Sequence, residues 1–113
     1  MSNLQKVLDA YKNGDLIIVT DDANREDEGD LMVLAEKATP EKVAFMVRHT
    51  TGILCVAMTA ERARTFRLPL MVEENQDSKK TAFTVSVDYK VGLTTGVSAT
   101  ERSNTVRDRK SVV

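Results

Sequence analysis

A chain of 113 residues has the size of one domain, and its 42% hydrophobic and 29% charged residues are ordinary for a globular protein. A formal net charge of −1 gives no global field to draw nucleic acid or an anionic membrane, so neither is expected as a partner. The single cysteine, Cys55, excludes an internal disulfide and fits a reducing, cytoplasmic setting; no apolar stretch approaches the roughly 18 residues that span a bilayer, and the N-terminus lacks a signal-peptide pattern.

The first element is a helix over residues 2–11. Ser2 and Gln5 have capping-box spacing, Leu4, Val7, Leu8 and Tyr11 share one face, and Gly14 is placed to end it. Residues 15–20 form an apolar run of strand length, expected as a central strand buried on both faces. A second strand of the same kind is expected over 30–36. Thr39-Pro40-Glu41 is a helix start, with Thr as N-cap, Pro in the first helical position and an acid in the first turn. Val43, Met46 and Val47 supply that helix's inward face, and Gly52 is expected to end it. His49 falls in its last turn, where a cation suits the helix dipole better than a catalytic role suits the residue.

A third strand is expected over 53–58, with Cys55 at its middle. Thr59 then caps a short helix reaching about Phe66, which Leu68-Pro69 closes off. Residues 73–80 carry no apolar side chain and read as a mobile surface loop. Phe83, Val85 and Val87 alternate with Thr84 and Ser86, the pattern of a strand with one less apolar face. Ser98 and Glu101 repeat the capping-box spacing at the start of a last helix. Helices interleaved with apolar strands give an α/β class, while the pattern alone leaves strand order open.

Two stretches carry chemistry. Between the first two expected strands lies Asp21-Asp22-Ala23-Asn24-Arg25-Glu26-Asp27-Glu28-Gly29-Asp30, in which six of ten residues are carboxylates. Like charges so close repel by order 1 kcal/mol per surface pair, and a hard divalent cation such as Mg²⁺, Mn²⁺ or Ca²⁺ would offset that. A solvated acidic turn is the plainer alternative. An EF-hand is excluded: counted from Asp22, its sixth and twelfth places hold Asp27 and Val33 instead of Gly and Glu. The second stretch, Leu93-Thr94-Thr95-Gly96-Val97, sets two hydroxyls and a glycine before a helix start. It can contact a phosphate or sugar, or be only a strand-to-helix turn.

The run Asp21-Asp22, Arg25-Glu26-Asp27-Glu28-Gly29-Asp30-Leu31 closely resembles the loop of the 3,4-dihydroxy-2-butanone 4-phosphate synthases. Ala38-Thr39-Pro40-Glu41, Gly52-Ile53-Leu54-Cys55-Val56, Leu68-Pro69-Leu70-Met71-Val72, residues 81–88, Thr94-Thr95-Gly96-Val97-Ser98-Ala99, Glu101-Arg102 and Thr105-Val106-Arg107 resemble the same family in the same order. The resemblance runs from about Asp15 to Arg107. After Arg107 this sequence ends at Val113, whereas the resemblance implies later segments with a Gly-His-x-x-Pro-Leu-like motif, an Arg-x-Gly-His-Thr-like motif and a late Glu. His49 is the only histidine here, so the chain resembles the N-terminal half of such an enzyme.

The resemblance implies a three-layer α/β/α sandwich with a mixed sheet, here truncated, in a cytoplasmic homodimer. The implied activity is a Mg²⁺- or Mn²⁺-dependent lyase reaction, with two ions per site, that converts ribulose 5-phosphate to 3,4-dihydroxy-2-butanone 4-phosphate and formate in riboflavin biosynthesis. It implies Glu26 as metal ligand and substrate contact, and Arg25, Asp30 and Thr95 as substrate contacts. Asp21 and Glu28 are implied as acid or base near the reacting carbons, with Cys55 lining the pocket. For Cys55 the residue type alone also allows a small core position. A non-catalytic metal- or phosphosugar-binding remnant is the second expectation, because lost ligands and phosphate contacts typically cost several kcal/mol of transition-state stabilisation.

Overall fold

The computed structural model describes residues 2–74, 76 and 81–108. Helix α1 (Asn3–Lys12) starts where the Gln5 N–H donates to Ser2 Oγ at 3.1 Å. Only half of the expected capping box forms, since the Gln5 side chain turns to Asp9 instead. Gly14 takes φ +93°, and a Cβ there would press on the Lys37 side chain at 3.0 Å, so the close approach after α1 requires glycine. The Lys42 ammonium donates to the Gly14 carbonyl, which ties this turn to the next helix.

Strands β1 (Ile17–Thr20) and β2 (Gly29–Met32) pair antiparallel, with Ile17 opposite Met32 and Thr20 opposite Gly29. The class is α/β, as expected, but the sheet is this hairpin alone among the described residues. Several strand expectations are corrected. β1 is not buried on both faces: Ile18 is 70% exposed. The second strand stops at Met32, and Ala35–Lys37 form a 3-10 turn. Residues 53–58 form no strand, and the run at 82–88 makes a single bridge, Thr84 to Leu70. Strand-like composition makes a strand only when a neighbour supplies the ladder partners. Among the described residues only 69–71 does so for the 82–88 run, through the Met71 N–H to the Phe83 carbonyl and the Val85 N–H to the Pro69 carbonyl, too short a pairing to make a strand. The loop expected over 73–80 lies largely outside the described residues.

Helix α2 (Pro40–His49) begins as its sequence dictates, with Thr39 as N-cap and Pro40 in the first turn. It ends at His49, where Thr50 Oγ1 donates back to the Met46 carbonyl at 2.6 Å, ahead of the glycine expected to stop it. Helix α3 (Ala60–Thr65) is capped by Thr59, and Arg62 lies over the Phe66 ring at 5.2 Å. Helix α4 (Ala99–Arg107) starts at Ser98 and packs on α2.

The buried centre is small. Ala38, Val43 and Ser103 are the buried residues that hold α2 and α4 together, and Ser103 Oγ donates to the Ala38 carbonyl at 2.6 Å. Much apolar surface stays open, including Leu4 on α1, Ile18 on β1 and Ile53. The radius of gyration, 15.3 Å, is accordingly larger than the ~13 Å of a well-packed domain of about 100 residues.

Candidate functional site

The register of β1 and β2 leaves residues 21–28 as the connecting loop, and the Asp21 N–H donates to the Glu28 carbonyl at 3.2 Å to close its neck. Inside that neck the Asp21 carboxylate organises the loop. Its Oδ2 accepts from the Glu26 N–H at 2.9 Å and from Arg25 at 3.2 Å, and its Oδ1 accepts from the Glu28 N–H at 2.9 Å. Asp22 makes the tight turn: its Oδ1 accepts from the Asn24 N–H at 2.7 Å, and its carbonyl accepts from the Arg25 N–H. Asp27 sits at φ +53°, a left-handed position that Asp and Asn tolerate best among residues with a side chain.

Arg25 lies between two acids, 3.2 Å from Asp21 and 2.7 Å from Glu26. Part of the charge repulsion that the sequence suggests a cation would offset is thus met within the loop, by Arg25 and three backbone amides. Among the described residues no group of three or more His, Cys, Asp or Glu side chains is arranged to hold a metal ion. Those present do not complete a divalent-cation centre, although Glu26 can contribute one carboxylate to it.

Beside the loop runs an open groove of about 400 Å³. Glu28 at the end of the loop and Asp30 of β2 line it, together with Met46 and His49 of α2 and Gly52 and Leu54 beyond that helix. His49 stacks on Phe45 with ring centroids 4.4 Å apart, in the last turn of α2 where the sequence places it. Cys55 follows directly on the groove lining; it is exposed, so the core reading of this residue does not hold.

Thr95 is on the loop that leads into α4, where its Oγ1 accepts from the Val97 N–H at 3.4 Å. This loop is shaped by Glu101, which the sequence marks as part of a helix cap and of the family pattern but not as a loop organiser. The Glu101 carboxylate accepts from the Thr94 N–H and hydroxyl, both at 2.8 Å, from the Gly96 N–H at 3.2 Å and from Ser98 Oγ at 3.3 Å. Arg102 then donates to the Val97 carbonyl at 2.9 Å and to the Gly52 carbonyl, on the groove, at 3.0 Å. The signal is present in sequence as an acid three residues after Ser98, but Thr94, whose N–H and hydroxyl it also takes, lies four residues upstream of the cap.

The structure therefore joins Asp21, Arg25 and Glu26 in one cluster, sets Glu28 and Asp30 in the groove, and links the Thr95 loop to the groove through Arg102. Asp21 titrates below its ordinary value, chiefly because the Glu28 N–H stabilises the carboxylate, against some desolvation, with the Glu26 N–H and Arg25 adding to the lowering. Glu101 is lowered too, first by the Thr94 N–H and hydroxyl. A lowered folded pKa stabilises the ordered loops above the ordinary carboxylate value of about 4, and that stabilisation is lost as pH falls through the lowered value. An NMR pH titration is expected to show the Glu26, Glu28, Thr94 and Gly96 amide signals steady from neutrality to about pH 4 and moving only below it. Movement centred above the ordinary value would contradict these contacts.

Comparison with known proteins gives a consistent result. The family model described as 3,4-dihydroxy-2-butanone 4-phosphate synthase matches residues 5–111. The chain is 47% identical over 107 residues to the protein of that name from Agrobacterium fabrum, covering 95% of this chain and 50% of that one. Its counterpart in Schizosaccharomyces pombe is 42% identical over 107 residues, with 95% of this chain and 52% of that protein covered. A crystal structure of 3,4-dihydroxy-2-butanone 4-phosphate synthase in complex with two magnesium ions superposes with a TM-score of 0.93 at 40% identity, over 100% of this chain and 56% of that one. The chain spans about half the length of these curated relatives.

Proposed function

The chain belongs to the 3,4-dihydroxy-2-butanone 4-phosphate synthase family, and on that premise we propose that it carries the acidic-loop part of that active site. The proposed reaction is the lyase conversion of D-ribulose 5-phosphate to 3,4-dihydroxy-2-butanone 4-phosphate and formate, dependent on Mg²⁺ or the similar hard cation Mn²⁺. The observation that carries it is the Asp21–Arg25–Glu26 cluster next to a groove lined by Glu28 and Asp30. In this reading Arg25, Glu26, Asp30 and Thr95 hold the sugar phosphate, and Cys55 flanks the pocket.

Asp21 and Glu28 divide the proton chemistry. Amide donors keep Asp21 ionised, so it cannot donate a proton near neutral pH, and its role is that of a base or of an orienting charge. Glu28, which lines the groove, is the second acid or base candidate beside the reacting carbons. Glu26 is the proposed ligand to the ions, and its further partners are groups outside the described residues. The metal would stabilise the negative charge that develops on neighbouring sugar oxygens. We assign the completed site to the three-layer sandwich and cytoplasmic homodimer of the family.

A second reading, a binding remnant without turnover, is favoured by the incomplete donor set. Formate release from ribulose 5-phosphate, followed by NMR with and without Mg²⁺ on a sample shown by circular dichroism to be folded, separates the two. Metal-dependent formate supports a working site in this chain. Its absence from a folded sample leaves binding here and turnover to the longer relatives.

A further inference from the structure

We infer that Glu101 and Arg102 are positioning residues that shape the Thr94–Ser98 loop and fix it to the rim of the acidic groove, so that the loop receives one end of a sugar phosphate. The inference rests on the reading of the groove as a phosphosugar site. Glu101 reaches back across seven positions to take the Thr94 N–H and hydroxyl, and it also holds the Gly96 N–H. The loop has little freedom to take another shape. Gly96 is at φ +77°, and a Cβ there would meet the Asp88 carboxylate at 2.8 Å.

Arg102 does the second half of the work. Its Nε donates to the Val97 carbonyl within the loop, and its Nη1 donates to Gly52, fifty residues away on the groove. A planar fork of donors can bridge two carbonyls in fixed geometry, which a lysine ammonium on a flexible stem cannot reproduce. Together the two side chains set the span between Thr95 and the groove carboxylates Glu28 and Asp30. That span must match the length of one substrate, because small misplacements in a site lower its efficiency steeply.

The test is an amide NMR titration of this chain with ribulose 5-phosphate, for the parent and for Glu101→Gln, Glu101→Asp and Arg102→Lys. The parent is expected to respond at Leu31 and Thr51 of the groove and at Thr95 and Gly96 of the loop. Glu101→Asp and Arg102→Lys are expected to bind about tenfold or more weakly and lose the loop response, with unchanged helical circular dichroism. Glu101→Gln keeps the reach and an acceptor oxygen, so it is expected to bind better than Glu101→Asp. A role confined to negative charge at the start of α4 gives the opposite order, since aspartate serves there as well. Parent binding at the groove with Asp at least equal to Gln, or with Arg102→Lys unaffected, overturns the inference and leaves the proposed function standing. No groove response in the parent overturns both.

Discussion

Glu26→Gln, placed at the matching position of a full-length family member, is expected to abolish magnesium-dependent formate release, while Asp27→Asn at its neighbour leaves the rate within about threefold. Loss of an outer-shell partner of a metal typically costs 10- to 100-fold in affinity or activity, and loss of the ligand itself is expected to exceed about a hundredfold. Gln keeps the size of Glu26 and can still accept a bond from Arg25, which lies 2.7 Å from its Oε1, so the loop should survive. What disappears is the charge that a hard cation needs. Asp27 differs because its place is conformational. At φ +53° asparagine substitutes at little cost, and no contact of the Asp27 carboxylate shapes the loop as those of Asp21 do. The decisive measurement is formate by NMR across a Mg²⁺ titration. Equal losses in both variants would sink the assignment of Glu26 and favour a diffuse electrostatic role for the loop.

Val43→Asp should leave this chain without a cooperative unfolding transition. Val43 is fully buried on α2, and Val43, Ala38 and Ser103 are the buried side chains at the core of the described residues. An unpaired charge there costs several kcal/mol, against a total stability of about 5–15 kcal/mol in typical domains. Ser103→Ala is the graded version: it leaves the buried Ala38 carbonyl without its donor, at about 1–3 kcal/mol. Ile18→Thr is the control, because Ile18 is open to solvent and Thr keeps a β-branched side chain; its effect should stay within about 0.5 kcal/mol. Urea unfolding followed by far-UV circular dichroism reads all three. A normal transition for Val43→Asp would mean that the α2–α4 contact is not what holds the chain together.

Helix starts were the most legible part of the fold, because each is written within four residues. Ser2, Thr39, Thr59 and Ser98 all cap the helices their spacing predicts. The strands were read less well for the opposite reason. The apolar runs at 30–36, 53–58 and 82–88 say that a segment suits a sheet, but pairing depends on a distant neighbour that local composition does not name. The candidate site divides along the same line. Asp21, Arg25 and Glu26 meet because they share one short loop, so their cluster was visible in sequence as a charge pattern. Arg102 is visible in sequence only as part of a family pattern, since its bond to Gly52 joins residues fifty positions apart, brought together as α4 packs on α2.

The bond between Ser103 and Ala38 spans 65 residues of sequence, and that separation has a consequence for the chain as it is made. The β1–β2 hairpin and its acidic loop use only neighbours in sequence and can form early. The buried centre must wait for α4, and at synthesis rates of about 5–20 residues per second that delay is roughly 3–13 s. Until α4 is made, α2 lacks the helix it packs against, and the apolar runs at 53–58 and 68–72 emerge within that interval. A nascent chain of this kind is a natural client for holdase chaperones, and synonymous changes that slow translation between codons 50 and 100 would lengthen its exposure.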